Sequence, residues 1–82
     1  MTPADLHTAF GTVLRRLRAE RGMTQEDLAF ASGAGRAAIA RMETGRQLPS
    51  LPTLVRLAEA LGVEASEVVR LIEREGTAAQ TA

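Results

Sequence analysis

TQEDLAFASGAGRAAIARMETG, Thr24 to Gly45, decides how the rest of the chain is read. It divides into two short helical segments around a glycine-containing turn. Thr24 is a helix-capping residue, and Asp27 stands three positions on as the acidic partner of a capping box. Leu28, Ala29 and Ser32 then fall on one side of the first segment. Gly33 ends it, because glycine adopts the left-handed conformation that a helix C-terminus favours. The second segment starts at Gly35 or Arg36 and runs to Thr44, with Gly45 as its stop. Ile39, Met42 and Glu43 share one face of this helix. Ala37, Ala40, Arg41 and Thr44 share the opposite face, with Arg36 at its exposed start.

The two faces have different uses. Ile39 and Met42 suit a core. The other side carries small residues between two arginines, so its backbone can approach a grooved partner closely. An arginine presents a planar fork of donors that matches guanine O6 and N7, or a phosphate. Short helix, glycine turn and then such a helix is the helix-turn-helix pattern.

Working outward from that stretch, the sequence resembles the Cro/C1-type (XRE-type) helix-turn-helix family of phage and bacterial regulators. The matching residues run from Phe10 to Val69. The most telling pieces are Arg21-Gly22-Met23-Thr24-Gln25, Leu28-Ala29, Ile39, Glu43 with Gly45, Pro49-Ser50 and Ala60-Leu61-Gly62-Val63. The resemblance implies an all-α, five-helix, lambda repressor-like domain. Its helix-turn-helix would be made by helices 2 and 3.

The flanking sequence is consistent with that expectation. Thr2-Pro3-Ala4-Asp5 is a helix start, and Leu6, Phe10, Val13, Leu14 and Leu17 follow at helical spacing. Helix 1 is therefore expected from Pro3 to Arg21, with Gly22 as its end. Gly11 inside it costs about 1 kcal/mol relative to Ala, and a close helix contact is one reason to keep it. Arg46 to Ser50 is a connecting loop. Helix 4 is expected over Leu51 to Leu61, with Leu54, Val55, Ala58 and Leu61 as its buried stripe. Helix 5 is expected over Ala65 to Glu75, with Val68, Val69 and Ile72 inward. Residues 1–75 read as one helix-turn-helix domain, and Gly76 to Ala82 as a disordered tail.

Eighty-two residues bound the answer to one domain with a modest core, to which dimerisation would add stability. Aromatics are only 2% of the chain, so that core must be aliphatic. There is no cysteine, hence no disulfide framework or thiolate metal site. No apolar run approaches the roughly 20 residues of a membrane span, and no signal peptide is visible at the N-terminus. These features lead to an expectation of a cytoplasmic protein. Net charge is zero, but its distribution is uneven. Seven arginines face four acids from Arg15 to Arg46, whereas three face five beyond Arg46. The basic excess coincides with the helix-turn-helix segment.

Candidate DNA-contacting residues follow from position and chemistry. Thr24 and Gln25 open helix 2, where the Gln25 amide and neighbouring N–H groups can donate to a phosphate. Gly35, Arg36, Ala37, Ala40 and Arg41 belong to the second helix. Arg36 and Arg41 can each pair with guanine or grip phosphate, and the alanines can touch a thymine methyl or permit close approach. Ala37 and Ala40 replace the polar residues of many relatives, which shifts weight towards DNA shape. Thr44, Arg46 and Gln47 correspond to the family's phosphate clamp. The resemblance also implies a structural ion pair between Arg18 and Glu43. Val68, Val69, Leu71 and Ile72 suggest a dimer contact, and Phe30 falls on the outer side of helix 2. His7, the only histidine, reads as a surface residue.

Three function classes then compete. The first is a sequence-specific double-stranded DNA-binding regulator, acting as a homodimer on a two-fold operator and acting on RNA polymerase. Family analogy points to a restriction–modification controller or a phage repressor-like switch. The second is an antitoxin-like module that binds a toxin as well as DNA. The third, an enzyme, lacks support. There is no histidine pair, no metal-spaced carboxylate cluster and no phosphate-loop glycine pattern, and no cofactor is expected.

Overall fold

A computed structural model describes residues 1–81, and side chains for 1–78. Five helices follow in order: α1 (Pro3–Glu20), α2 (Gln25–Ser32), α3 (Arg36–Glu43), α4 (Leu51–Leu61) and α5 (Ala65–Thr81). No strand occurs among the described residues. The starts of α1 and α2 are set by full capping boxes, Thr2 with Asp5 and Thr24 with Asp27. Ser50 caps α4 by accepting a hydrogen bond from the Thr53 N–H. Each box satisfies two backbone donors that a helix start would otherwise leave unpaired.

The helices converge on a centre that is aliphatic apart from Phe10. Phe10, Val13, Leu14 and Leu17 come from α1, Leu28 from α2, and Ile39 and Met42 from α3. Leu57, Ala58 and Leu61 of α4 and Val68 and Ile72 of α5 complete it. The most extensive packing is of α1 with α5 and α3, and of α2 with α4 and α3. The short helices α2 and α3 are too brief to be stable alone. Their geometry is imposed by this packing.

Three expectations are corrected. On α4, Val55 is 40% exposed, whereas Leu57 is buried. The inward arc is centred on Leu57, Ala58 and Leu61, and one residue step of about 100° from Leu54 carries Val55 past its edge. On α5, Val68 and Ile72 lie in the core, but Val69 is 42% exposed. Val68 and Ile72 are 2% and 7% exposed, so little of either is open to a second copy, although Ile72 reaches the floor of a surface groove. Finally, α5 does not stop at Glu75. It continues through Thr81, so the expected disordered tail is helical over that part, and Ala82 lies outside the described residues. Gly76 is buried in α5, and the Met1 side chain occupies the space a Cβ would take there. Contact between the two ends of the chain is a reason for the helix to continue that hydropathy spacing does not reveal.

Candidate nucleic-acid interface

Helix α3 is held from behind by several independent contacts. Ile39 and Met42 are fully enclosed. Gly11 lets the end of α3 rest directly on α1. A methyl group there would sit 2.7 Å from the Met42 carbonyl oxygen and 2.8 Å from that of Glu43. The close helix contact expected at this glycine is thus present, and its partner is the last turn of α3.

Arg18 and Glu43 form the expected ion pair. Arg18 Nε donates to Glu43 Oε2 at 2.6 Å and Nη2 donates to Oε1 at 3.0 Å, a two-pronged geometry. Arg18 Nη1 donates to the Met23 carbonyl at 2.7 Å. The side chains are only 16% and 4% exposed. The hydrogen bond to Glu43 holds the Arg18 guanidinium above the usual arginine range; burial opposes this and the Glu43 charge reinforces it. Gln25 Nε2 also donates to Glu43 Oε1, at 3.2 Å. The start of α2, the end of α3 and the last turn of α1 therefore meet at one carboxylate.

The turn between α2 and α3 is fixed just as locally. Gly33 has φ of 76° and its N–H donates to the Ala29 carbonyl at 2.9 Å. The buried Ser32 hydroxyl donates to the Leu28 carbonyl at 2.7 Å and accepts from the Ala34 N–H at 3.2 Å. This satisfies polar atoms that burial would otherwise penalise.

The opposite side of α3 is open. Arg36, Ala37, Arg41 and Thr44 are exposed and Ala40 is half-buried. Helix α3 begins at Gly35 with no side-chain cap. The side chains of Arg36 and Arg46 make no hydrogen bond or ion pair among the described residues, so both guanidinium groups keep their donors for an outside partner. Arg41 Nε donates to Gln47 Oε1 at 2.7 Å. The Thr44 hydroxyl turns back to the Ala40 and Arg41 carbonyls, at 3.0 and 3.2 Å. The chain leaves α3 through Gly45, and the Arg46 N–H donates to the Arg41 carbonyl at 2.8 Å. That backbone closure is the glycine-dependent helix ending of the Schellman type. Thr24 is exposed beside its capping partner Asp27.

The expected contact residues are thus joined through α2, α3 and the following loop. Sequence reasoning missed the Gln25–Glu43 and Arg41–Gln47 bonds. It also missed Arg21, whose Nη1 donates to the Leu17 carbonyl at 3.2 Å and whose Nε donates to the Leu61 carbonyl, tying α1 to the end of α4. None of these has a spacing signature. Phe30 is 91% exposed, as its place on the outer side of α2 implied.

An apolar, arginine-flanked helix face backed by a glycine turn and a capped partner helix is the helix-turn-helix geometry. The helix-turn-helix family matches residues 14–68 of the chain. The chain belongs to that family, in its XRE-type branch. An uncharacterised helix-turn-helix-type transcriptional regulator of Sinorhizobium fredii is 40% identical over 65 residues, covering 79% of this chain and 84% of the relative. Among solved structures, the restriction–modification controller protein C.AhdI of Aeromonas hydrophila is 40% identical. It covers 76% of this chain and 94% of its own, with a TM-score of 0.73. The controller protein C.Esp1396I, solved as a tetramer on its natural 35-base-pair operator, is 28% identical with a TM-score of 0.79. That match covers 88% of this chain and 95% of the other. No helix among the described residues is long and apolar enough to cross a membrane.

Proposed function

We propose that this XRE-type protein is a sequence-specific double-stranded DNA-binding transcriptional regulator that places α3 in the major groove. The observation that carries this reading is the two-sidedness of α3. Its back is locked by Ile39, Met42 and the Arg18–Glu43 pair, while its front offers Arg36 and Arg41 across Ala37 and Ala40. Arg36 and Arg41 read base edges. Thr24, Gln25, Gly35, Thr44 and Arg46 lie along the phosphates on either side. The protein works in the cytoplasm as a regulator rather than an enzyme, and its position on the operator blocks or recruits RNA polymerase. Similarity to controller proteins supports a small switch acting at its own promoter.

The DNA-binding unit is a homodimer on half-sites centred about 34 Å apart. Its contact surface is built round an apolar groove of about 220 Å³ whose lining includes Leu6, Leu48, Pro49, Leu54 and Val69. Exposed Val55 and Leu51 of α4 add to the available apolar surface. The oligomeric state of the operator-bound C.Esp1396I structure supports a second copy as the occupant.

Two measurements test this reading. Footprinting on the DNA upstream of the coding sequence should show two protected half-sites, and Arg41→Ala should relax base preference at one position in each. Unchanged base preference in both Arg36→Ala and Arg41→Ala overturns the assignment of α3. Val69→Glu should give a monomer by sedimentation and weaken operator binding; an intact dimer places the interface elsewhere.

A further inference from the structure

We propose that Gln47 is a specificity-determining positioning residue, which fixes the Arg41 guanidinium for end-on reading of one guanine. The inference rests on α3 being the base-reading helix. Its starting point is the 2.7 Å bond from Arg41 Nε to Gln47 Oε1. An arginine Nε only donates, so the amide atom facing it must be the oxygen. With Nε occupied, the donors left are those on the two terminal nitrogens. Those two lie at the tip of the fork and can pair together with guanine O6 and N7.

The backbone makes this arrangement local and repeatable. Gly45, with φ of 76°, reverses the chain directly after α3. The Arg46 N–H then donates to the Arg41 carbonyl at 2.8 Å, so residue 46 is tied to the backbone of the same arginine whose side chain residue 47 holds. Arg41 is exposed and Gln47 half-buried, so the more anchored side chain restrains the freer one. A flexible arginine would lose much of its rotamer freedom on meeting a base. Here part of that loss has occurred before DNA arrives, which favours the base that uses the held geometry. Arg36 has no such partner among the described residues, so the two arginines of the same face are not equivalent readers.

The test is selection from a library of random-sequence duplexes by the full chain, comparing wild type, Arg41→Ala, Gln47→Leu, Gln47→Glu and the Arg41→Ala/Gln47→Leu pair. Thermal melting of each variant reports folding. Arg41→Ala should erase guanine preference at one position per half-site. Gln47→Leu should reduce preference at that same position by about five- to tenfold, the lower end of the range for one bidentate contact. Preferences elsewhere and the melting temperature should stay unchanged. The double variant should be no less selective than Arg41→Ala alone. Gln47→Glu, which keeps an acceptor for Nε, should retain the preference while lowering overall affinity through charge repulsion. The proposal is overturned if Gln47→Leu weakens all duplexes equally, or lowers affinity by the same factor in the Arg41→Ala background, since either marks an independent phosphate contact. If Arg41→Ala leaves the base preferences intact, Arg41 is not a base reader and the proposal falls with it, whereas the assignment of α3 fails only if Arg36→Ala leaves them intact as well.

Discussion

Arg18 and Arg41 stand on opposite sides of α3, and the molecule uses them in opposite ways. Arg18 spends Nε, Nη1 and Nη2 inside the protein, on both oxygens of Glu43 and on the Met23 carbonyl. Arg41 spends only Nε, on Gln47, and remains exposed. Burial makes the first contact a brace, because neither partner can turn to water if the other is lost. Exposure makes the second a guide, because solvent competes with it and DNA can still reach the guanidinium. The same residue type therefore stabilises α3 on one side and equips it on the other.

The largest expected effect comes from breaking the brace. Glu43→Ala leaves the Arg18 guanidinium mostly buried without its carboxylate and frees the Gln25 amide. Stability should fall by about 3 kcal/mol, the lower end for a broken buried pair. For a domain of this size that lowers the melting temperature by more than 10 °C on the usual scaling, as thermal denaturation followed by circular dichroism will show. Replacing both partners by apolar residues, as in Arg18→Met with Glu43→Leu, should recover much of the loss. A double variant as unstable as Glu43→Ala would mean that the Met23 and Gln25 bonds, rather than the ion pair, hold the end of α3.

Gly11→Ala strains the same side without touching charge. Alanine is the better helix former by about 1 kcal/mol, so at an open site it would stabilise α1. Here the added methyl meets two backbone carbonyl oxygens that cannot swing away as a side chain could. The net change should be a loss of about 1–3 kcal/mol in urea unfolding, with operator binding weakened as α3 is pushed off α1. An increase in stability would show that α1 and α3 can separate freely.

How much of this two-sidedness was legible in the sequence depends on which contacts it involves. Helix starts at Thr2 and Thr24 and the ending at Gly33 are local chemistry, and they stand where side-chain capping and left-handed glycine place them, whereas the Ser50 cap of α4 was read only as loop. The inward residues of α3 follow from helical spacing alone. The Arg18–Glu43 pair was available only through the family resemblance, since twenty-five positions separate its members. The close approach at Gly11 was suspected from the cost of a glycine inside a helix, but not its partner. Val55 and Leu57 exchanged roles because an arc of aliphatic residues does not announce its own centre. The Arg41–Gln47 bond depends on how the chain leaves Gly45 and on two rotamers, neither of which is encoded in spacing.

On the open side, Arg46→Ala should behave in the reverse manner to Glu43→Ala. Arg46 is exposed and has no side-chain partner among the described residues, so stability should change by less than about 0.5 kcal/mol. Binding should weaken on all duplexes, and the slope of log affinity against log salt should fall by about 1, as for one lost phosphate contact. Filter binding over a salt series measures this. A changed base preference with an unchanged slope would move Arg46 from the phosphates to the bases.

The smallest effect separates burial from hydrogen bonding as the cause of the difference between the two sides. Asp27, like Glu43, is a carboxylate that accepts hydrogen bonds at a helix end, but it is exposed. The Thr24 N–H donates to Asp27 Oδ2 at 2.9 Å. That bond, with a further contribution from the Thr24 side chain and slight opposition from burial, holds the Asp27 carboxyl below the usual aspartate range. A folded-state value below the unfolded one means that the contribution is complete above about pH 4, the unfolded aspartate value, and is lost as pH falls through the folded value. Asp27→Asn should therefore lower stability slightly near neutrality and remove part of the acid dependence, leaving the neutral-to-alkaline arm unchanged. Arg18 adds nothing to that acid arm. Its folded-state value is raised, so its contribution is complete below the ordinary arginine range and would be lost only above it. Urea unfolding of both proteins across an acid series tests the point. Were Asp27→Asn to cost as much near neutrality as Glu43→Ala, the strength of the Glu43 brace could no longer be ascribed to its burial.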